Sequence, residues 1–266
     1  GPNHVDVATS YNNLGTVYWK TGDLEKAKEY HQLALEIQKE QLGANHVNVA
    51  TSYNNLGTVY SDTGDLEKAK EYHQLALEIR KKQLGPNHVD VATSYNNLGL
   101  VYWNTDDVKK AKEYCQLALE IEKEQLGPNH VEVARSYTNL GSVYWKTGDL
   151  EKAEEYFQLA LEIRKKQLGP NHVDVATSYN NLGTVYNDTG DLEKAKEYYQ
   201  LALEIHKEQL GPNYVAVVTS YSNLGTVYRD TGDLEKAKEY HQLALSIQQD
   251  ANNTWIHKSR ISVLQG

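Results

Sequence analysis

The 266-residue chain has very little cysteine, methionine, phenylalanine or proline. Its single cysteine, Cys115, excludes an internal disulfide framework and is typical of a reducing compartment, so we expect a cytoplasmic location. Methionine is absent even at position 1, which predicts that the chain is part of a longer one. No apolar run approaches the roughly 20 residues of a transmembrane helix, and the first residues carry no signal-peptide pattern.

Basic residues are fewer than acidic ones. The 27 lysines and arginines face 36 aspartates and glutamates, which gives a net charge of -9, and the basic residues are scattered along the chain. Binding to nucleic acid requires a basic stripe that neutralises a run of phosphates. We therefore expect neither nucleic acid nor a membrane as a partner.

The main feature of the sequence is one segment that occurs six times, either unchanged or as a close variant. The stretch ATSYNNLGTVY occupies residues 8–18 and 50–60, and variants of it recur farther along. Its leucine recurs every 42 residues, at Leu14, Leu56, Leu98, Leu140, Leu182 and Leu224. A fixed period of this length indicates a repeat protein. It divides the chain into repeats 1–42, 43–84, 85–126, 127–168, 169–210 and 211–252 and leaves a tail, 253–266.

Each repeat reads as two helices. The first has Asn3 as its expected N-cap, and its apolar residues recur at spacings of three and four: Val7, Tyr11, Leu14, Gly15 and Tyr18. Gly22 ends this helix, Asp23 caps the second helix, and Gly43 ends that one. A single helical hairpin cannot bury both of its faces, so the repeats are expected to stack on one another.

The third repeat departs from this pattern at its turn. It has Thr105-Asp106-Asp107 where the other repeats have Thr-Gly-Asp. A turn with positive φ costs roughly 1 kcal/mol more with aspartate than with glycine. We therefore expect this hairpin to be the least stable of the six.

These residues resemble the tetratricopeptide repeat, whose pattern is W-x2-L-G-x2-Y, then A-x3-F, then P. Tyr11 stands at the place of the tryptophan, and the place of the phenylalanine is taken by His31, His73, Cys115, Phe157, Tyr199 and His241. Lys39 stands where the closing proline is expected, and the resulting 42-residue period is similar to the repeats of kinesin light chain and of nephrocystin-type and STAND-type signalling ATPases. The resemblance implies an all-α, right-handed superhelical solenoid of six helix-turn-helix repeats, with the first helices on the inside.

A second, polar stripe runs along the first helices. In tetratricopeptide arrays the matching positions line the concave groove, and the stripe resembles the asparagine ladder of kinesin light chain. An asparagine amide both donates and accepts hydrogen bonds, so a row of them can pair with a peptide backbone. Alternatively, duplication copied these residues without a use. They are Asn13, Asn55, Asn97, Asn139, Asn181 and Asn223 at the second position, and Asn12, Asn54, Asn96 and Asn180 at the first.

The stripe varies at a few positions, and these are where we expect specificity. Trp19, Trp103 and Trp145 alternate with small or polar residues, and Leu100 and Arg135 replace threonines. Aromatic residues and arginine dominate interaction hot spots, and an arginine can bind a carboxylate through two nitrogens. The tryptophans alternatively shield the end of the first helix.

The chain offers no pattern of catalytic or metal-binding residues. It has no glycine-rich phosphate loop and no metalloprotease motif. The histidines recur once per repeat without companion ligands, and the loops at Asp62 and Asp188 lack most of a calcium-ligand series. Nearly every polar residue recurs in each repeat, whereas an enzyme needs one unique constellation. We expect no enzyme activity, no cofactor and no metal site, and we interpret Cys115 as an inert core residue.

The sequence therefore predicts a protein–protein interaction scaffold that binds an extended peptide or a helix in its concave groove. Two alternatives are a structural array that associates with itself end to end, and the sensor region of a larger signalling ATPase. The tail, 253–266, is expected to form a partial capping helix over the last repeat, to occupy a groove, or to be a disordered terminus.

Overall fold

The computed structural model describes residues 4–211 and 215–264, with side chains for 4–211 and 215–249. Within these residues the chain forms twelve α-helices, two in each repeat. They are α1 (Val5–Lys20), α2 (Leu24–Leu42), α3 (Val47–Asp62), α4 (Leu66–Leu84), α5 (Val89–Asn104), α6 (Val108–Leu126), α7 (Val131–Lys146), α8 (Leu150–Leu168), α9 (Val173–Thr189), α10 (Leu192–Leu210), α11 (Val215–Asp230) and α12 (Leu234–Leu264).

The helices belong to two compact units, Gly1–Thr147 with α1 to α7 and Gly148–Gly266 with α8 to α12. Inside the units, α2, α4, α6 and α10 each pack on the first helix of their own repeat and on that of the next repeat, while α8 packs on α9 and α12 packs on α11. In the N-terminal unit the first helices α1, α3, α5 and α7 also contact one another in succession. The predicted all-α array of stacked helical hairpins is therefore confirmed.

Histidines cap the first helices. The Nδ1 atom of His4 accepts a hydrogen bond from the backbone N–H of Asp6 at 3.2 Å. A neutral imidazole has one bare ring nitrogen, which replaces the usual side-chain oxygen of a cap. Equivalent histidines start the helices of the next four repeats: His46, His88, His130 and His172. Asn3 itself lies outside the described residues. In the next four repeats, however, the N-cap is the histidine that follows the asparagine, so the predicted asparagine cap is wrong there.

The turns inside the hairpins follow the prediction. The Asp23 side chain accepts a hydrogen bond from the backbone N–H of Lys26, and Gly22 has φ = 83°. In the third repeat Asp106 takes the same left-handed conformation, with φ = 66°, and it is the one non-glycine residue in the described part of the chain with a positive φ.

The hairpin core combines aromatic stacking with close helix contact. In the first repeat Tyr18 stacks on Tyr30, with ring centroids 5.3 Å apart, while Tyr11 meets the same ring at a tilt. Beside them, a Cβ atom on Gly15 would lie only 2.7 Å from the His31 ring. Glycine is therefore required at this position for the two helices to approach.

Residues 253–264 of the tail continue the last helix. Helix α12 thus reaches Leu264, but the side chains from Asp250 onward lie outside the described residues. The expected capping of the last repeat stays a prediction. In the described part of the chain, no helix has both the length and the apolar character required to span a bilayer.

Candidate interaction surface

One buried polar residue lies at each interface between consecutive repeats. These residues are Gln38, Arg80, Glu122, Arg164 and His206, and we call them the interface polar residues. Each contacts the serine fourteen positions along, in the next repeat: Ser52, Ser94, Ser136, Ser178 and Ser220, at 2.6 to 3.1 Å. Sequence reasoning missed them because glutamine, arginine and glutamate usually lie on surfaces. Their place on the same helical face as Ala34 and Leu35 was the available signal.

At the interface between repeats one and two, the interface polar residue Gln38 is a hydrogen-bond acceptor, and the first asparagine, Asn12, is bound within the interface. The Ser52 hydroxyl donates to Gln38 at 2.7 Å, so its oxygen can accept from the Nδ2 atom of Asn12, also at 2.7 Å. On the other side, the Asn12 carbonyl oxygen lies 2.8 Å from Nδ1 of His31. The hydrogen bonds of Asn12 are thus made inside the fold.

The interface between repeats three and four repeats this arrangement around a buried carboxylate. Asn96 is buried and donates to Glu122 at 3.0 Å, while Ser136 donates to Glu122 at 2.6 Å. Asn139 also donates to the carbonyl oxygen of Asn96 at 3.0 Å. Burial raises the pKa of Glu122 to about 7, although the Ser136 hydrogen bond and the charge of Arg135 oppose the rise. A groove contact expected of Asn96 is therefore wrong, because its amide is enclosed by these groups.

A donor at the interface position has the opposite effect. Arg80 donates to the Ser94 hydroxyl at 2.8 Å, and that hydroxyl donates to the carbonyl oxygen of Asp90 in its own helix. Ser94 makes no bond to Asn54, which instead accepts a hydrogen bond from Asn97 at 2.8 Å. Asn12, whose serine donates to an acceptor, is thus bound in the interface, whereas Asn54, whose serine accepts from Arg80, pairs along the stripe.

The second asparagines lie closer to solvent. Asn13 is exposed, and the others are partly exposed: Asn55, Asn97, Asn139, Asn181 and Asn223. The carbonyl oxygens of Asn97 and Asn139, and the whole amides of Asn13 and Asn55, make no hydrogen bond within the described residues. At the first position, the carbonyl oxygen of Asn180 is buried without a hydrogen-bond partner in this part of the chain.

Of the residues expected to confer specificity, Arg135 is engaged within the chain. Its guanidinium lies 2.6 Å from Glu132 and 3.6 Å from Glu122. A partner's carboxylate would have to share this guanidinium with Glu132, and the part of Arg135 in specificity stays a prediction.

The tryptophans differ from one another. The indole N–H of Trp19 donates to Asp62 in the next repeat. At the equivalent place below Trp103 stands Lys146, whose ammonium lies 4.7 Å from the ring centroid and cannot accept a hydrogen bond. The Trp103 N–H is accordingly buried without a partner among the described residues. Trp145 is exposed at the end of α7.

A cavity of about 90 Å³ lies between α5, α6 and α7. It is mainly apolar, and its lining brings together three residues that the sequence singled out separately: Leu100, Trp103 and Asn139. Cys115 forms another part of the wall, and burial raises the pKa of its thiol to about 12, which fits the expected inert core residue.

Comparison with known proteins places this arrangement in a family. The family model described as tetratricopeptide repeat matches residues 6–82, 63–111, 90–166, 139–208 and 174–250, whereas a search of curated proteins returns no match. The crystal structure of BtubC (BKLC) from P. vanneervenii is 26% identical in sequence, the match covers 87% of this chain and 90% of BtubC, and the two superpose with a TM-score of 0.69.

Two further structures share the fold at lower identity. A putative kinesin light chain with nearly identical TPR-like repeats from Podosopora anserina is 22% identical, with coverage of 77% and 98% and a TM-score of 0.63. Aspartyl phosphate phosphatase F from Bacillus subtilis is 16% identical, with coverage of 92% and 60% and a TM-score of 0.70. Such identities show the fold alone. With family matches along residues 6–250, however, the chain belongs to the tetratricopeptide repeat family, whose members generally mediate protein–protein interactions.

Proposed function

We propose that the chain is a protein-interaction scaffold that holds an extended peptide along the second asparagines of its first helices. The observation that carries this proposal is the unused hydrogen-bonding capacity of Asn13, Asn55, Asn97 and Asn139 on four consecutive first helices. The first asparagines of repeats one and three, Asn12 and Asn96, do not share this role, because they are bound inside the interfaces.

The spacing of the helices supports an extended ligand. Packed helices lie about 8–10 Å apart, and an extended strand rises about 3.3 Å per residue. One asparagine would therefore meet roughly every third residue of the peptide. Because an amide reads the backbone and not the side chain, this row gives affinity with little sequence preference.

Random peptides displayed on phage and selected on the immobilised chain would test the proposal. Substituting Asn55→Ala, Asn97→Ala and Asn139→Ala should weaken an enriched peptide by about 0.5–1.5 kcal/mol for each hydrogen bond lost. The matched control is Gln32→Ala, Gln74→Ala and Gln116→Ala, which removes three amides from the second helices and should leave binding unchanged.

Asn55 separates binding from folding in this test. Asn97 and Asn139 each lose a hydrogen bond to the preceding repeat when replaced, whereas Asn55 makes none. The Asn55→Ala variant should therefore bind more weakly at an unchanged free energy of unfolding. Equal loss of binding in the glutamine control, or full binding by the asparagine variant, would reject the proposed surface.

We also propose, as a second candidate function, that copies of the 266-residue chain associate end to end. In α1 the side chains of Leu14 and Val17 are 43% and 55% exposed, whereas Leu56 and Val59 at the same places in α3 are 0% and 1% exposed. In α12 Leu245 is 51% exposed, although its counterparts in five second helices are buried.

The polar residues of these two faces match as well. Gln248 has the place in the sixth repeat that Gln38 has in the first, and Ser10 has the place of Ser52. An α12 face that receives the α1 face of another copy would therefore repeat the contact of Gln38 with Ser52. One part of that contact would be missing between two chains, because the sixth repeat has Ser222 where the first repeat has Asn12.

Sedimentation velocity over a concentration series tests this association. The unmodified chain should grow beyond a dimer, because the two faces differ and the contact does not close on itself. Val17→Asp and Leu245→Asp should each be monomeric alone and should form only dimers when mixed. Leu159→Asp, an exposed leucine away from both faces, is the control. A monomeric unmodified chain would refute the association, and coverage of α12 by the tail would produce that result.

A further inference from the structure

The cavity between α5, α6 and α7 arises from a substitution found in one repeat. In repeats one, two, five and six, the glycine of the first helix faces a histidine or tyrosine ring, which a Cβ atom on that glycine would meet at 2.7 Å. In repeat three Gly99 faces the sulfur of Cys115 instead. A thiol fills less space than an aromatic ring, so room is left between the helices.

A second departure makes the edge of this cavity apolar. The other five repeats have a hydroxyl one position after the glycine, and in each it donates to a carbonyl oxygen of its own helix: Thr16, Thr58, Ser142, Thr184 and Thr226. In repeat three the position holds Leu100, which lines the cavity and is 51% exposed. A half-exposed leucine beside a mainly apolar cavity is the arrangement of an open binding pocket.

The charges near the cavity are already paired. Arg135, Asn139, Ser142 and Lys146 follow one another at spacings of four, three and four along one face of α7. Arg135 is held by Glu132 and Glu122, as described above, and Lys146 lies 2.7 Å from Asp106 and donates to the carbonyl oxygen of Trp103. The pocket therefore offers a ligand apolar surface and the carbonyl oxygen of Asn139, but no free charge in the described residues.

We propose that this cavity is an anchor pocket for one aliphatic side chain, of the size of valine, leucine or isoleucine, on the extended peptide that the groove binds. The inference rests on the proposed function. The cavity of about 90 Å³ is smaller than the roughly 150 Å³ that holds benzene, so beside the Cys115 thiol it suits an aliphatic side chain better than an aromatic one. The Asn139 carbonyl oxygen accepts a backbone N–H of the peptide beside the anchored residue.

The test uses peptides enriched from the random library on the full chain. They should share an aliphatic residue at one position, and its replacement by alanine should weaken binding about tenfold or more. Cys115→Phe introduces the residue that repeat four has at the same position, Phe157, and its ring should fill the cavity, so the same alanine replacement should then have no effect. Cys115→Ala keeps the cavity open and is the matched control, in which the tenfold difference should persist.

Leu100→Thr gives a second variant at an exposed site, which keeps the test informative if Cys115→Phe fails to fold. It should reduce the preference for the aliphatic residue. Peptides that bind without an aliphatic preference, or that keep it in both Cys115→Phe and Leu100→Thr, would overturn the pocket and leave the proposed function standing. A library that yields no binding peptide would overturn both.

Discussion

At the first two interfaces between repeats, the hydrogen bonds of the first asparagine differ with the buried interface polar residue. Gln38 accepts a hydrogen bond from Ser52 of the next repeat, and the Ser52 oxygen in turn accepts one from Asn12. Where the buried residue donates, as Arg80 does, the serine is occupied and Asn54 pairs with Asn97. The interface polar residues, although buried, therefore affect which asparagine groups the proposed binding surface presents.

The substitution Arg80→Gln tests this link. It should let Ser94 accept from Asn54 and let the unpartnered Nδ1 atom of His73 take the Asn54 carbonyl oxygen from Asn97, as His31 does for Asn12. The side-chain amide signals of Asn54 and Asn97 should therefore move in NMR spectra. Stability should stay the same or rise by about 1 kcal/mol, because the buried Nε atom of Arg80 has no partner in the described residues. Arg80→Lys keeps a donor and should leave both signals in place. Unmoved signals in Arg80→Gln would disprove the link.

Buried histidines make stability depend on pH. Burial lowers the pKa of His31 and of His73 to about 4, from an ordinary value of 6.5. Above pH 6.5 both rings are neutral in the folded and unfolded chain; as the pH falls towards 4, the unfolded chain binds protons first and stability is lost. Glu122 acts in the opposite direction, since its raised pKa of about 7 favours the folded state at low pH and lowers stability as the pH rises from 4.5 to 7.

The variant His73→Phe isolates one of these contributions. Between pH 7.5 and pH 5 the unmodified chain should lose about 2 kcal/mol more folding stability than the variant, from the proton taken up by the unfolded His73. Urea unfolding at the two pH values measures the difference, with Tyr72→Phe on the same helix as the control. The same pH-dependent loss in the chain and in His73→Phe would contradict the buried, neutral histidine.

At the scale of the helix, the sequence predicted what depends on local spacing and missed what depends on the next repeat. The apolar spacing and the Asp23 cap gave the helices correctly, since both act within a few residues. The buried role of Gln38 escaped because its partner Ser52 belongs to another hairpin. Likewise the helical spacing placed Asn96 on the polar stripe but did not reveal its enclosure by Glu122, because that contact forms only when the repeats stack.

The turn of the third hairpin stores backbone strain at Asp106. Asp106→Gly should stabilise the chain by roughly 1 kcal/mol, because glycine takes a positive φ without steric cost. Part of this gain is offset by the exposed ion pair with Lys146, which contributes about 0–1 kcal/mol. Asp106→Ala is the control, since it removes the ion pair and keeps the Cβ atom, and it should destabilise. If urea unfolding gives Asp106→Ala the same stability as Asp106→Gly, the positive φ at residue 106 is not the source of the strain.

At the scale of the whole chain, the contacts between repeats should carry most of the stability. The second helices α2, α4, α6 and α10 each pack on two first helices, so an added repeat contributes an interface as well as a hairpin. Fragments of three, four, five and six repeats should therefore unfold at successively higher urea concentrations. Identical midpoints for all four would mean that the repeats fold independently.

The central claim is that the asparagine stripe of the first helices is the interaction surface. Hydrogen exchange of the chain, with and without a library-selected peptide, tests it most directly. The account predicts slower exchange in α1, α3, α5 and α7 and little change in α2, α4 and α6. Slower exchange confined to the second helices, with the first helices unaffected, would contradict it.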